Sequence, residues 1–252
     1  MIHIRCSALG PLMTPPKSVD ERLVTEDVAA ILKKKVRTDE EKAILQHLLD
    51  RSLSAGAKTE IEKMAKEYVY GFHEVVTSKF MDKGLIVEPD SLDLYNTVFF
   101  TDYQKNTERK NNEWLTGECD IFVPSTKIID LKSAWSLATF PATAAAGRDT
   151  GYEWQGRGYM MLWDVDLFDI AYCMVNTPDE LIRYEQQDLH YVDHIDPALR
   201  VTIVPYTRDK ALEEKIKRKV DAARLYLAEQ VNDILTQHHV SAGVDKSQLI
   251  ME

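Results

Sequence analysis

Cysteine is scarce in this 252-residue chain: Cys6, Cys119 and Cys173 are odd in number, far apart and form no C-x-x-C pair. That pattern excludes a disulfide framework and a cluster held by four thiolates, so no iron–sulfur centre is expected. The apolar neighbours of all three predict buried structural thiols. No apolar run approaches the roughly 20 residues that a membrane span needs. The opening stretch, MIHIRCSALGPLM, lacks the apolar core and small-residue cleavage site of a secretory leader. A cytoplasmic protein with no membrane contact is the expectation. Basic excess is missing too. Thirty-one Lys and Arg against 41 Asp and Glu leave a net charge of −10. That argues against a protein that coats nucleic acid without specificity. It leaves room for a locally basic groove, or for a cation held by carboxylates that brings its own positive charge.

What is present is an ordinary globular composition, with length enough to bury a sizeable core. Neither an internal repeat nor a low-complexity linker interrupts it. Residues 1–17 read as an entry segment ending in the Pro15-Pro16 turn. Residues 20–54 read as helical, with a polar break at Arg37–Asp39 and a second helix near Glu40–Leu53. Residues 57–80 carry Ile61, Met64, Ala65, Tyr68 and Phe72 at a period near 3.6, the mark of one long amphipathic helix. Gly84 leads into a short helix, Glu88–Tyr95, with Pro89 in its first turn. Thr97–Tyr103 reads as a strand and Gln104–Asn112 as a loop. Thr150–Trp163 reads as a helix, Asp166–Val175 as a buried strand, Pro178–Gln187 as a helix or ordered turn and Val201–Val204 as a strand. Asp209–His238 is a long amphipathic helix. Residues 241–252 are expected to be a flexible tail. The order predicts a single α/β domain over residues 1–240, built on a mixed sheet. Its parts are a helical region to about residue 80, a core over about 81–206 and the C-terminal helix.

Between the loop and the helix at 150 lies Leu115–Trp135, LTGECDIFVPSTKIIDLKSAW. Two short apolar runs, Cys119–Val123 and Lys127–Leu131, flank the turn-forming Pro124–Thr126, which predicts a hairpin. Alternation along the second strand puts Ile129 and Leu131 on one face and Asp130 and Lys132 on the other. Asp120, on the partner strand, comes close across the ladder. An isolated D-x-K is most often a surface ion pair. Two flanking features change its weight. Gly84–Glu88 sets a carboxylate at the start of a helix before the sheet. Gln155 and Tyr159 share one helical face after it, with Gly156 and Gly158 leaving that helix open to close approach.

These residue types suit phosphodiester hydrolysis. A hard divalent ion takes oxygen ligands, usually one or two carboxylates with waters and phosphate. Asp120 and Asp130 fit that role, with the backbone carbonyl of Leu131 as a further ligand and Glu88 completing an adjacent metal position. Lys132 is placed to orient water or to offset phosphate charge; acting as a base would require a lowered pKa. Trp135 reads as core packing, and Lys127, Arg148 and Arg157 are candidate phosphate contacts.

T-G-E-C-D-I-F followed by I-I-D-L-K-S-A-W resembles the PD-(D/E)XK nuclease superfamily. G-x-x-x-E at Gly84–Glu88 and Q-x-x-x-Y at Gln155–Tyr159 are similar to its RecB-type branch, which contains phage recombination exonucleases related to lambda exonuclease. The likeness spans roughly Gly84 to Pro178. It departs from the pattern in carrying Asp130 where many relatives have Glu, and Cys119 where the proline that names the superfamily would stand. The resemblance implies a restriction-endonuclease-like α/β core, a central mixed β-sheet flanked by helices. It implies Glu88, Asp120 and Asp130 as ligands of Mg²⁺, with Mn²⁺ as an alternative, and Lys132 as the catalytic lysine. Gln155 and Tyr159 would meet the substrate strand, and Ser133, directly after the lysine, is a further candidate for contact with it. Arg5, in Ile4–Ala8, resembles the segment that holds a 5′-terminal phosphate. The implied activity is exonucleolytic, 5′→3′, on the ends of linear double-stranded DNA in the cytoplasm of a bacterial host. The implied partners are a single-strand annealing protein and copies of the same chain in a ring. A structure-specific or restriction-type endonuclease, and a catalytically inactive DNA-binding module, are the alternatives.

Overall fold

A computed structural model describes residues 3–74 and 77–239; the tail expected over 241–252 lies outside the described residues. In chain order they form β1 (Ile4–Arg5), α1 (Leu9–Met13), α2 (Glu26–Lys33), α3 (Asp39–Asp50), α4 (Ala55–Tyr70), α5 (Lys79–Ile86) and α6 (Glu88–Phe99). Then come β2 (Lys110–Asn111), β3 (Leu115–Gly117), β4 (Ile121–Val123), β5 (Lys127–Ser133), α7 (Thr150–Trp163), β6 (Leu167–Cys173), α8 (Asp179–Ile182), β7 (Val201–Thr207) and α9 (Lys210–Gln237). The chain divides into two compact units. One holds residues 1–74, 111–115 and 210–252, the other 75–110 and 116–209.

The first unit is helical. The polar break at Arg37–Asp39 proves to be a helix start. The Thr38 hydroxyl accepts from the Glu41 N–H while the Glu41 carboxylate accepts from the Thr38 N–H, a capping box that satisfies two otherwise unpaired donors. The long helix expected over 57–80 ends at Tyr70. Gly71 stops it by taking a left-handed conformation (φ 65°), its N–H closing on the Glu67 carbonyl. Helix α4 packs on α9 through Ala57, Ile61 and Ala65 against the Ile216, Val220, Ala223, Leu227 and Val231 stripe.

Two charged residues, Glu213 and Lys219, are buried along that helix. Lys219 is 1 % exposed, and its ammonium donates to the Leu49 carbonyl (3.0 Å) and the Ser52 carbonyl, in the last turn of α3 and just past its end. Burial, opposed by Asp50 and helped by Lys215, lowers its pKa to about 8.

The second unit is built on a four-stranded sheet in the order β4-β5-β6-β7. Strands β4 and β5 form the expected antiparallel hairpin, Ile121 opposite Ile129, with Ser125 left-handed in the turn. Strand β5 runs parallel to β6, from Lys127 beside Leu167 to Ser133 beside Cys173, and β7 closes antiparallel on β6. The sheet is therefore mixed. Side-chain alternation divides its two faces. Ile129, Ala171 and Cys173 join Val87, Leu94 and Tyr95 in one core under α6. Asp130 and Lys132 face the other way, the side on which α7 carries the parallel crossover.

Three further sequence expectations are corrected. Thr97–Tyr103 is not a strand: α6 continues to Phe99, left-handed Phe100 ends it, and the Asn96 side chain ties down Thr101 and Tyr103. Leu94, Tyr95 and Val98 meet the sheet at helical spacing, and this packing overrides the β-propensity of the Thr97–Phe100 run. The helical reading of 20–54 resolves into a 3₁₀ turn at Glu21–Leu23, α2 and α3. Strand β7 runs on to Thr207, three residues past the expected end.

An unfolded lysine titrates near 10.4. Between about pH 8 and that value the unfolded chain still holds the Lys219 proton that the folded one has released, so folding gains stability as pH rises through this window. Denaturant unfolding of the wild-type chain and of Lys219→Met, compared from pH 7.5 to 10.5, should show this slope in the wild type and a weaker one in the variant.

Candidate active site

A cavity of about 570 Å³ opens at the carboxyl end of β5, and all of its lining comes from the second unit. It gathers Glu88, Asp120, Asp130, Leu131, Lys132, Ser133, Gln155 and Tyr159. Eight of the nine residues singled out from the sequence therefore share one pocket. The ninth, Arg5, belongs to the first unit, where it borders a separate cleft with His3, Ser7 and Lys63.

Each acid is placed by its element. Asp120 stands one residue before β4 and accepts the Leu131 N–H through Oδ2 at 2.7 Å, which pins it across the hairpin from Asp130. Asp130 is 2 % exposed, and its Oδ2 meets the Lys132 ammonium at 2.6 Å. That contact lacks hydrogen-bond alignment and leaves the oxygen without a formal donor. Glu88 opens α6, where the helix dipole favours a carboxylate, and pairs with Lys105 from the loop that follows this helix.

Charge in this pocket is unbalanced. Burial and the adjacent Asp130 carboxylate push the Asp120 carboxyl up to about 8, against the opposing pull of Lys132 and the Leu131 N–H. Two carboxylates this close cannot both ionise cheaply without a cation. Burial alone would strip Lys132 of its proton, but Asp130 and Asp120 hold its pKa above the ordinary lysine value. With both carboxylates beside it, the Lys132 ammonium keeps its proton.

The residues fit a divalent ion by donor type and charge: three carboxylates and a backbone carbonyl line one pocket, and a buried Asp130 oxygen lacks a donor. As placed, no three carboxylate, imidazole or thiolate groups among the described residues close on a single point. Lys105 holds Glu88, the Leu131 N–H holds Asp120, and Lys132 holds Asp130, so a metal would exchange with these contacts.

On α7 the Q-x-x-x-Y pair is internally linked. The Gln155 amide donates to the Tyr159 hydroxyl, which donates to the Glu118 carbonyl, both at 2.9 Å. Tyr159 thereby braces the segment two residues ahead of Asp120. Gly156 allows this approach: a Cβ there would lie 1.9 Å from the Phe168 ring on β6. The Ser133 hydroxyl shares a hydrogen bond with Ser91 of α6 at 2.8 Å.

Sequence reasoning missed three side chains here. Tyr152, one helical turn before Gln155, puts its ring 4.5 Å from the Lys132 ammonium. Its i−3 spacing was a readable signal. Lys105 lay in a polar loop with nothing to distinguish it. Tyr172, beside Lys132 in the parallel register, donates to the Gly147 carbonyl at 2.8 Å. Among the candidate phosphate contacts, Lys127 pairs with Asp169 and Arg157 with Glu153, each at 2.6 Å. Trp135 is 7 % exposed, edge-on to Phe80 and His190, and serves packing as expected.

An acid on one strand, D-x-K on its antiparallel neighbour and a glutamate on the preceding helix, converging at the end of a mixed sheet, define a nuclease of the PD-(D/E)XK class. No family model matches the sequence, and no curated protein aligns with it significantly. Solved structures do. A phage-related exonuclease from Haemophilus somnus 129PT is 31% identical, with a TM-score of 0.76 over 92% of this chain and 96% of that one. The alkaline exonuclease LHK-Exo from Laribacter hongkongensis is 15% identical, with a TM-score of 0.58 over 75% of this chain and 89% of that one. The same exonuclease in complex with dAMP is 14% identical and superposes with a TM-score of 0.61 over 94% and 93%. At such identities LHK-Exo attests the fold alone. The chain belongs to the family of the Haemophilus phage-related exonuclease, the lambda-exonuclease-like PD-(D/E)XK nucleases.

Gly156→Ala should drive α7 off the sheet and cost about 1–3 kcal/mol or more, the usual range for overpacking, as read by denaturant unfolding. Tyr159→Phe removes two hydrogen bonds and should cost about 1–3 kcal/mol. It should also lower nuclease turnover by releasing the segment ahead of Asp120, as measured by nucleotide release.

Proposed function

We propose that the chain is a Mg²⁺-dependent exonuclease, with Mn²⁺ as an alternative ion, that hydrolyses phosphodiester bonds from the ends of linear double-stranded DNA. Its direction is 5′→3′ and its setting is phage-type recombination in a bacterial cytoplasm. The observation that carries the reading is the single pocket that holds Glu88, Asp120, Asp130 and Lys132 with the Leu131 carbonyl. Glu88, Asp120, Asp130 and that carbonyl are the ligands. When bound, the ion lowers the pKa of a water and neutralises charge on the phosphate.

The chain's own groups do the rest. Lys132, fixed as a cation, holds a phosphate oxygen and offsets the charge that builds on it. Gln155 and Ser133 face the scissile strand. Tyr159 keeps Asp120 in place through Glu118. Arg5, whose forked guanidinium suits a phosphate, holds the 5′-terminal phosphate. The polarity and the Arg5 role rest on the family resemblance, as do two partners: a single-strand annealing protein that takes up the exposed strand, and further copies of the chain in a ring. An acidic exterior suits such a ring, because a closed channel confines DNA without a basic coat.

Lys132→Ala and Asp130→Ala should stay folded and lose Mg²⁺-dependent nucleotide release by at least about 10²-fold, the scale on which one transition-state charge contact acts. Wild-type digestion by both would sink the site. Covalently closed circles should survive; nicked circles would turn the reading to an endonuclease. End-labelled duplexes with a 5′-phosphate should be digested faster than those with a 5′-hydroxyl, and Arg5→Ala should erase the difference.

Proton competition at Asp120 sets the pH dependence of metal binding. Below about pH 8 the metal must displace its proton, so Mn²⁺ affinity measured by calorimetry should weaken by up to about tenfold per unit of falling pH. It should level off above pH 8.

A further inference from the structure

Helix α5 buries a lysine that none of the roles above uses. Lys83 is 0 % exposed. Its ammonium donates to three backbone carbonyls, Ala134 at 2.6 Å, Trp135 at 3.0 Å and Val175 at 3.0 Å, so every N–H is spent. Among the described residues no carboxylate pairs with it. A cation enclosed with only carbonyl dipoles around it is expensive to maintain, and a methionine would fill the same space without that cost. Its persistence calls for a return.

The three carbonyls supply one. Ala134 and Trp135 follow the last residue of β5, and Val175 lies two residues past the end of β6. These strands are parallel neighbours, Ser133 beside Cys173, so both leave the sheet side by side at the mouth of the pocket. Lys83 fills the fork between them. The Trp135 carbonyl also accepts from the Thr177 hydroxyl at 3.0 Å, and the Ala134 N–H donates to the Cys173 carbonyl at 2.9 Å. On its own helix, the Lys83 carbonyl accepts the Val87 N–H at 2.9 Å, closing the turn that delivers Glu88. One residue therefore ties the corner before Glu88 to the corner after Lys132.

We infer that Lys83 is a positioning residue for the nuclease reaction: its three bonds to the strand exits fix Lys132 and the Ser133–Trp135 wall relative to Glu88. This rests on the assignment of Lys132 and Glu88 to the active site. Lys83 touches no reacting atom; it acts through the backbone that carries those that do. Geometry of this kind matters steeply, since a displacement near 1 Å at a reacting group costs on the order of 10²-fold in rate.

The test is Lys83→Met, which keeps the side-chain length and removes the three donors. Digestion of a linear duplex in Mg²⁺ should show kcat lowered by about thirty-fold, within that steep dependence, with KM for DNA ends changed less than about twofold. Hydrogen–deuterium exchange should show the Ala134 and Leu137 amides losing protection while the α7 amides keep theirs. Turnover at the wild-type level per folded molecule overturns the inference, as does a loss of activity that only tracks the unfolded fraction. If Lys83→Met does not fold, Lys83→Gln decides: its amide keeps two donors, so kcat should fall by several-fold, and an unchanged kcat overturns the inference. Lys132→Ala is run beside both. An inactive Lys132→Ala with a fully active Lys83 variant rejects the positioning role alone, whereas an active Lys132→Ala rejects the active site itself.

Discussion

Two carboxylates of one hairpin, Asp120 and Asp130, compete for a single unit of negative charge, and the surroundings of the pocket answer that competition. Leu131 lends its N–H to one acid and Lys132 its ammonium to the other. Tyr152 lays a ring beside the same ammonium, and Lys105 reaches back to Glu88. Each of these contacts lowers the cost of keeping anions where water is partly excluded, and each is weaker than what a divalent ion would supply. The anions are thus held by several separate contacts and not by one.

The scaffold around the pocket is rigid by comparison. Asp130 and Lys132 sit on a seven-residue strand paired along its whole length with β6, so neither can move without that ladder. Helix α7 lies so close to β6 at Gly156 that the Phe168 ring takes the place a side chain would occupy. Tyr159 turns this closeness into a tether, passing one hydrogen bond to the chain ahead of Asp120. Lys83 does the same from the opposite helix. A mobile charge balance inside a fixed frame separates two demands, tunable electrostatics and invariant geometry, that one set of residues could not meet.

The sequence disclosed most where pattern and chemistry coincided. The hairpin, the 150–163 helix, the long terminal helix and the gathering of Glu88, Asp120, Asp130 and Lys132 follow from alternation, helical spacing and the order of four motifs. It disclosed less where tertiary contacts outweighed local preference. Thr97–Phe100 carries strand-forming residues, yet the face set by Leu94, Tyr95 and Val98 pulls it into α6. Residues 57–80 keep their apolar rhythm past Tyr70, but a left-handed Gly71 ends the helix, a break that periodicity does not register. Lys83 and Lys219 were invisible, since their targets are backbone carbonyls, and a backbone carbonyl leaves no mark in a sequence. Arg5, given a phosphate-holding role by resemblance alone, borders a cleft in the helical unit.

The parallel pairing of β5 with β6 has a consequence during synthesis. The catalytic strand ends at Ser133, but its neighbour is not complete until Cys173, and the intervening chain must first form α7 and cross over. Contacts of such long sequence separation form late. A ribosome-bound chain that has already exposed Asp120, Asp130 and Lys132 therefore lacks the wall that positions them. The pocket is thus assembled from both sides of the crossover, and no segment of the chain short of β6 contains all of its walls.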